Sequence, residues 1–130
     1  MLWYIALGSA VGGVGRYLLG GLVQRSFAAT FPVGTLFVNL TGSFLLGLFL
    51  RYAIDTPTLT PEVRALLTVG LCGGYTTFST FSYESLALME DGDWGRAAAY
   101  IVLSLGLSLL ATFLGVAAAR ELSSLQARVP

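Results

Sequence analysis

Phe78 and Phe81 stand three residues apart in a run of hydroxyl side chains, inside an otherwise apolar chain. On a helix they share a face. They read either as two core aromatics or as rings whose positive edges meet an anion. Two further polar lines recur every four residues: Thr35, Asn39 and Ser43, then Tyr100, Ser104, Ser108 and Thr112. A lone Ser or Thr in a membrane helix usually bonds its own backbone. Polar lines on several helices of so short a chain point instead to a polar track or to partner contacts. Asn39 is the most specific member, because an amide deep in apolar surroundings needs a firm partner or a function. Donors dominate these lines, and Arg16 adds a fixed positive charge near one end. Glu84 is the single acid within the apolar segments, towards a helix end. This favours an anion as the cargo and disfavours proton-coupled cation export, which places an acid at membrane depth. Arg16 itself either attracts anions or snorkels to headgroups.

The stretch from Gly70 to Ser82, GLCGGYTTFSTFS, organises the rest. Gly73 and Gly74 favour backbone freedom over helix, and the hydroxyls of Thr76, Thr77, Ser79 and Thr80 compete for backbone bonds. In hydrocarbon, broken backbone persists only where protein buries it or a polar cavity receives it. A break here is therefore a packed kink or an ion site. Carbonyls freed between Gly73 and Thr76 are hard oxygen acceptors of the kind that hold a small cation.

The elements that must position these groups are membrane spans. The chain has 130 residues, 55% hydrophobic and only 11% charged, with a mean hydropathy of +0.78. Soluble domains carry about 25% charged residues, so this is an integral membrane protein, all α-helical and one domain. Four apolar segments approach the roughly 20 residues needed to cross a bilayer: about Leu2 to Val23, Val33 to Ile54, Val63 to Leu88 and Ala97 to Ala119. The first carries Gly8 and Gly12 in the spacing that lets helices approach closely, and it reads as a retained span rather than a cleaved signal. Pro32 marks the start of the second, and Thr60-Pro61-Glu62 the start of the third. The third is the interrupted one. Asp91-Gly92 turns the chain into the fourth, and ELSSLQARVP reads as a short tail.

Composition also excludes. The seven basic residues are all Arg, balanced by seven acids, so no nucleic-acid surface or polybasic tail is indicated. With no His and one Cys, Cys72, zinc, haem and His-based catalysis find no support, and no nucleophile–base pair suggests an enzyme. Four crossings place Arg51, Arg64, Arg120 and Arg128 on one side, and Arg25 and Arg96 opposite, with Arg16 towards that end of the first span. So slight an asymmetry is a weak topology signal. Either another feature fixes orientation, or the chain inserts both ways and pairs antiparallel.

GLCGGYTTFSTFS closely resembles the signature of the CrcB/Fluc fluoride channel family, and GGVGRY, GTLFVN with Asn39, and the spaced Tyr100, Ser104 and Ser108 agree with it. The resemblance spans nearly the whole chain. It implies four-span, dual-topology subunits in the bacterial inner membrane, paired as an antiparallel homodimer within lipid, with two fluoride pores and a third helix broken mid-membrane. It implies that Phe78 and Phe81 line the pores, with Asn39 as a donor, and that Tyr100, Ser104, Ser108 and Thr35 form the polar track. Arg16 would draw anions into a vestibule. A structural sodium ion would be held at the dimer interface by the main-chain carbonyls of Gly73 and Thr76. Gly74, Thr77, Ser79, Thr80 and Glu84 complete the matching motif, with Tyr75 as a variable position. Two rivals follow from the residues alone: a four-span multidrug transporter, which wants a Glu in the first span where Arg16 stands, and a non-transporting assembly subunit.

Overall fold

The computed structural model describes residues 1–27 and 30–126, all of whose regular structure is helical. Arg128, placed by sequence on the side of the chain's ends, lies outside the described residues. Helix α1 runs Leu2–Phe27, α2 Val33–Asp55, α3 Pro61–Ala65, a π-helical segment Leu66–Cys72, α4 Gly73–Tyr75, α5 Phe78–Glu90 and α6 Trp94–Gln126. Leu2–Phe27, Val33–Asp55 and Trp94–Leu125 are long and apolar enough to cross a membrane. Their outward faces are rich in exposed Leu, Val and Phe side chains, as expected of a protein solvated by lipid or by a partner rather than by water.

The helix starts follow local chemistry. Thr60 accepts from the Val63 amide at 3.4 Å with Pro61 in the first turn. Pro32 precedes α2 but supplies no side-chain cap. The cap comes from another helix instead: Gln24 Oε1 accepts the Gly34 amide at 3.0 Å, while its Nε2 donates to the Phe31 carbonyl at 3.1 Å. Gly92, at φ +78°, makes the turn before α6.

Close backbone approach holds the elements together. α1 lies against the π-helical segment and α4, and a methyl group on Gly74 would stand 2.7 Å from the Ser9 carbonyl oxygen. α2 packs along α6, where Gly47 meets the Thr112 backbone and Gly115 meets Phe44. Gly-mediated contact substitutes for a hydrophobic driving force that lipid does not provide.

Several boundaries differ from expectation. Gly73 and Gly74 are helical, and the chain leaves helix at Thr76 (φ −80°, ψ 160°) and Thr77 (φ −151°, ψ 106°). Gly74 is there for proximity to α1, not for freedom. The stretch read as a tail continues α6 as helix through Gln126, and Trp94 and Arg96 belong to its first turn rather than to the preceding loop.

Candidate functional site

The extended pair Thr76–Thr77 releases backbone groups from their helical partners, and neighbouring helices satisfy them. Asn39 on α2 pairs with both polar atoms of Thr77: Oδ1 accepts the amide at 2.7 Å and Nδ2 donates to the carbonyl at 3.1 Å. Arg16 on α1 donates from Nη1 to the Thr76 carbonyl at 3.3 Å. The Thr76 hydroxyl donates back to the Cys72 carbonyl at 2.9 Å. The Thr77 hydroxyl accepts the Thr80 amide at 3.2 Å, capping α5, and lies 2.9 Å from the Thr80 hydroxyl and 3.4 Å from that of Ser79. The interruption is thus fixed by named side chains.

Two cavities flank it. The larger, about 620 Å³, is lined by Arg16, Tyr17, Thr35, Thr77, Thr80 and Glu84, among others. The smaller, about 230 Å³, brings together Asn39, Thr77, Phe78, Phe81, Ser104 and Ser108. Ser43 and Thr76 border it too. Thr77 belongs to both, so the broken backbone is the partition between them.

The residues singled out by spacing therefore converge, with differences in detail. The Phe78 and Phe81 centroids lie 5.5 Å apart, with Phe81 buried and Phe78 75% exposed, open to whatever lies beyond this chain. The Ser104 hydroxyl is buried without a hydrogen-bond partner among the described residues, on the wall of the smaller cavity. Such a group is unfavourable unless something accepts from it or donates to it. Thr112 leaves the line and bonds its own helix at the Ser108 carbonyl, 3.0 Å away. Tyr100 is fully buried. Its hydroxyl donates to Glu84 Oε2 at 2.7 Å, and its ring lies 5.3 Å from Phe81. It thus forms part of the wall between the cavities rather than their surface.

The partners of one residue, and the roles of two others, escaped the sequence reading. Glu84, read as the single acid of the apolar segments and a motif member, takes Thr35 on Oε1 at 2.9 Å and Tyr100 on Oε2, joining α2, α5 and α6. Tyr75, read as variable, is buried, with its ring beside Gly15 and Gly42 and its hydroxyl 2.9 Å from that of Thr41. The glycines at those positions are the signal that a ring fills the space. Phe31, in the turn before α2, meets Tyr100 edge-on, at 5.5 Å and 84°.

Residues 3–116 match the family model described as CrcB-like protein, Camphor Resistance (CrcB). The chain belongs to the CrcB family. Among CrcB relatives, one from Thermus thermophilus is 52% identical over 111 residues, covering 85% of this chain and 88% of its own length. One from Opitutus terrae is 49% identical over 132 residues, covering 95% of each chain. One from Aquifex aeolicus is 47% identical over 115 residues, covering 88% and 93%. All three relatives carry the name fluoride-specific ion channel. The CrcB match covers α1, α2, the interrupted region, α5 and most of α6, so both cavities lie within it.

Proposed function

We propose that this chain is a channel subunit, not an enzyme, and that it conducts fluoride passively out of the cell across the bacterial inner membrane. One observation carries the reading. The smaller cavity collects an amide, several hydroxyls and two phenylalanine rings, with a buried Ser104 hydroxyl that has no partner among the described residues. The described residues that line it carry no charge, whereas the larger cavity beyond Thr77 holds Arg16 and Glu84. Donors and positive ring edges suit a desolvated small anion. The names of the similar proteins agree with fluoride as that anion.

On this reading Pro61–Tyr75 and Phe78–Glu90 together form the third of four spans, broken mid-membrane. Arg16 raises the local anion concentration in the larger cavity. Its guanidinium, held on the Thr76 carbonyl, is also fixed rather than free to snorkel. Fluoride then exchanges water for the Asn39 amide and the hydroxyls of Ser104 and Ser108 beside the Phe78 and Phe81 rings. No coupling step is required. An inside-negative potential drives an anion out at about 2.3 kcal/mol per charge per 100 mV.

The path is completed by a second copy in antiparallel orientation. The exposure of Phe78 supports this, because a pore wall facing lipid would leak its polar lining into hydrocarbon. A twofold pair gives two pores. Sodium, as a structural ion between the copies, fits the backbone. The Thr77 amide that would close a helical turn onto the Gly73 carbonyl is diverted to Asn39. The Thr76 carbonyl accepts only a long bond from Arg16, which leaves a lone pair. Those two hard oxygens from each copy would hold the ion, and its charge would bind the copies together.

The test is fluoride efflux from liposomes holding the purified protein, with potassium and valinomycin setting the voltage and chloride as the control. Selective fluoride loss without a proton gradient is expected. Folded protein that moves no fluoride would refute the channel reading and favour an assembly subunit.

A further inference from the structure

Tyr100 is fully buried on α6, with its hydroxyl on Glu84 and its ring against Phe81. Two rings flank the phenol, Phe81 from α5 and Phe31 from outside the helices. Phe31 lies in the turn before α2, and its ring meets that of Tyr100 nearly perpendicular, at 5.5 Å and 84°. Turns are the least constrained parts of a bundle, yet Phe31 is tied down. Gln24, a full turn inside α1, donates to the carbonyl of Phe31 itself and accepts the Gly34 amide three residues on. One amide side chain therefore brackets the ring that backs Tyr100. The aromatic contacts run without a gap from Phe78 through Phe81 and Tyr100 to Phe31, with centroid separations of 5.5, 5.3 and 5.5 Å.

We propose that Phe31 is a positioning residue for anion passage: it clamps the Tyr100 ring against Phe81 so that the phenol hydroxyl stays on Glu84, and Gln24 holds the turn that presents it. This rests on the fluoride-channel reading above. Glu84 lines the larger cavity and Phe81 the smaller, and Tyr100 touches both residues, so a drift of the phenol would alter the gap an ion crosses. It would also release a hydroxyl and a carboxylate oxygen from each other. The edge-to-face geometry makes the clamp electronic as well as steric. In a perpendicular pair the positive edge of one ring meets the negative face of the other. Whichever ring supplies the edge, inverting the charge distribution of Phe31 turns that attraction into repulsion at constant shape.

The experiment replaces Phe31 with pentafluorophenylalanine, and separately makes Phe31→Leu, Phe31→Tyr and Gln24→Leu, measuring fluoride and chloride efflux from liposomes beside the unmodified protein. Pentafluorophenylalanine and Phe31→Leu are each expected to slow fluoride efflux about tenfold, the upper range for an aromatic pair, and to narrow the preference for fluoride over chloride. Phe31→Tyr keeps the ring and should restore most of the rate. Gln24→Leu should lower efflux in the same direction, and combining it with Phe31→Leu should add little, since both act through one contact. The shape-matched replacement guards against a Leu variant that fails to assemble. Unmodified protein that conducts, alongside a pentafluorophenylalanine variant with unchanged rate and selectivity, overturns the role of Phe31 alone. Unmodified protein that moves no fluoride overturns the channel reading and this inference with it.

Discussion

The side chain of Asn39 is the support whose removal has the most calculable effect. In Asn39→Ala the Thr77 amide loses its acceptor at 2.7 Å and the Thr77 carbonyl its donor at 3.1 Å, at a residue only 7% exposed. Each buried group left unpaired costs about 1–3 kcal/mol. The chain has one remedy. The Thr77 amide can turn back to the Gly73 carbonyl and extend the helix by a residue, which satisfies the amide but not the Thr77 carbonyl. The net penalty is then about 1–3 kcal/mol for the single orphan, equivalent to about 5- to 150-fold in a local opening equilibrium. Hydrogen–deuterium exchange followed by mass spectrometry, on protein in lipid nanodiscs, reads this directly in peptides spanning Thr76 to Phe81. Exchange there should quicken by that factor, while peptides from the α2–α6 contact stay unchanged. Fluoride efflux should fall in parallel, because Thr77 belongs to both cavities. Asn39→Asp keeps the acceptor for the amide but sets a carboxylate against the Thr77 carbonyl and in the anion's path. It should exchange more slowly than Asn39→Ala yet conduct less. Exchange in Asn39→Ala that matches the unsubstituted protein would refute the idea that Asn39 holds the interruption open.

Phe81→Ile keeps apolar bulk but removes a ring touching both Phe78 and Tyr100, so efflux should fall while size-exclusion chromatography still reports the same assembly. Gly74→Ala would put a methyl group 2.7 Å from the Ser9 carbonyl oxygen, backbone that cannot yield, so its melting temperature in detergent should drop and its yield with it. Gly73→Ala makes the informative contrast. Its methyl group would find only the Thr68 carbonyl oxygen, at 3.9 Å, so the single chain should tolerate it, and any loss should appear as weaker, sodium-dependent association between copies. Glu84→Gln leaves one acceptor where Thr35 and Tyr100 both donate. Efflux should fall more than stability does, measured as liposome flux against thermal unfolding.

How much could be read in advance depended on the kind of signal. Period-four spacing on single helices placed Asn39, Ser104 and Ser108 on one cavity, because helical periodicity fixes which side chains share a face. The same rule misled at Thr112, where the hydroxyl found its own backbone at Ser108. Composition announced the apolar spans, but their ends were blurred. α6 continues past its apolar stretch to Gln126 because Glu121, Ser123 and Ser124 are tolerated in helix once packing has nucleated it. The Gly73–Gly74 pair was a true signal with the wrong cause, since a glycine demanded by a neighbour's backbone looks in sequence like one demanded by a turn. What no local pattern could reveal was pairing between distant residues. Phe31 reaches Tyr100 because α2 packs along α6, and Thr35 reaches Glu84, 49 positions away, because α5 lies against α2.

The interruption at Thr76–Thr77 also constrains how the site can work. Unwinding a helix in an apolar medium is tolerable only if every released group is answered, and here the answers are unequal. Thr77 is paired twice by Asn39, Thr76 once and weakly by Arg16, while the Gly73 carbonyl has lost its helical donor. Satisfaction therefore decreases from Thr77 back to Gly73, and donors are concentrated on the side of Phe78, Phe81 and Ser104. On the proposed reading a small anion would take the donor side and a small cation the carbonyl side. The two sets of groups lie a few residues apart along one backbone, and Arg16 reaches the Thr76 carbonyl from the larger cavity. An arrangement that serves both ions needs the break held rigidly, since a shift of one residue along the helix would move the carbonyls into the anion's space. On that argument Asn39 and Arg16 act first on the backbone and only through it on the ion. Variants at either position should consequently change exchange at Thr76–Thr77 before they change selectivity.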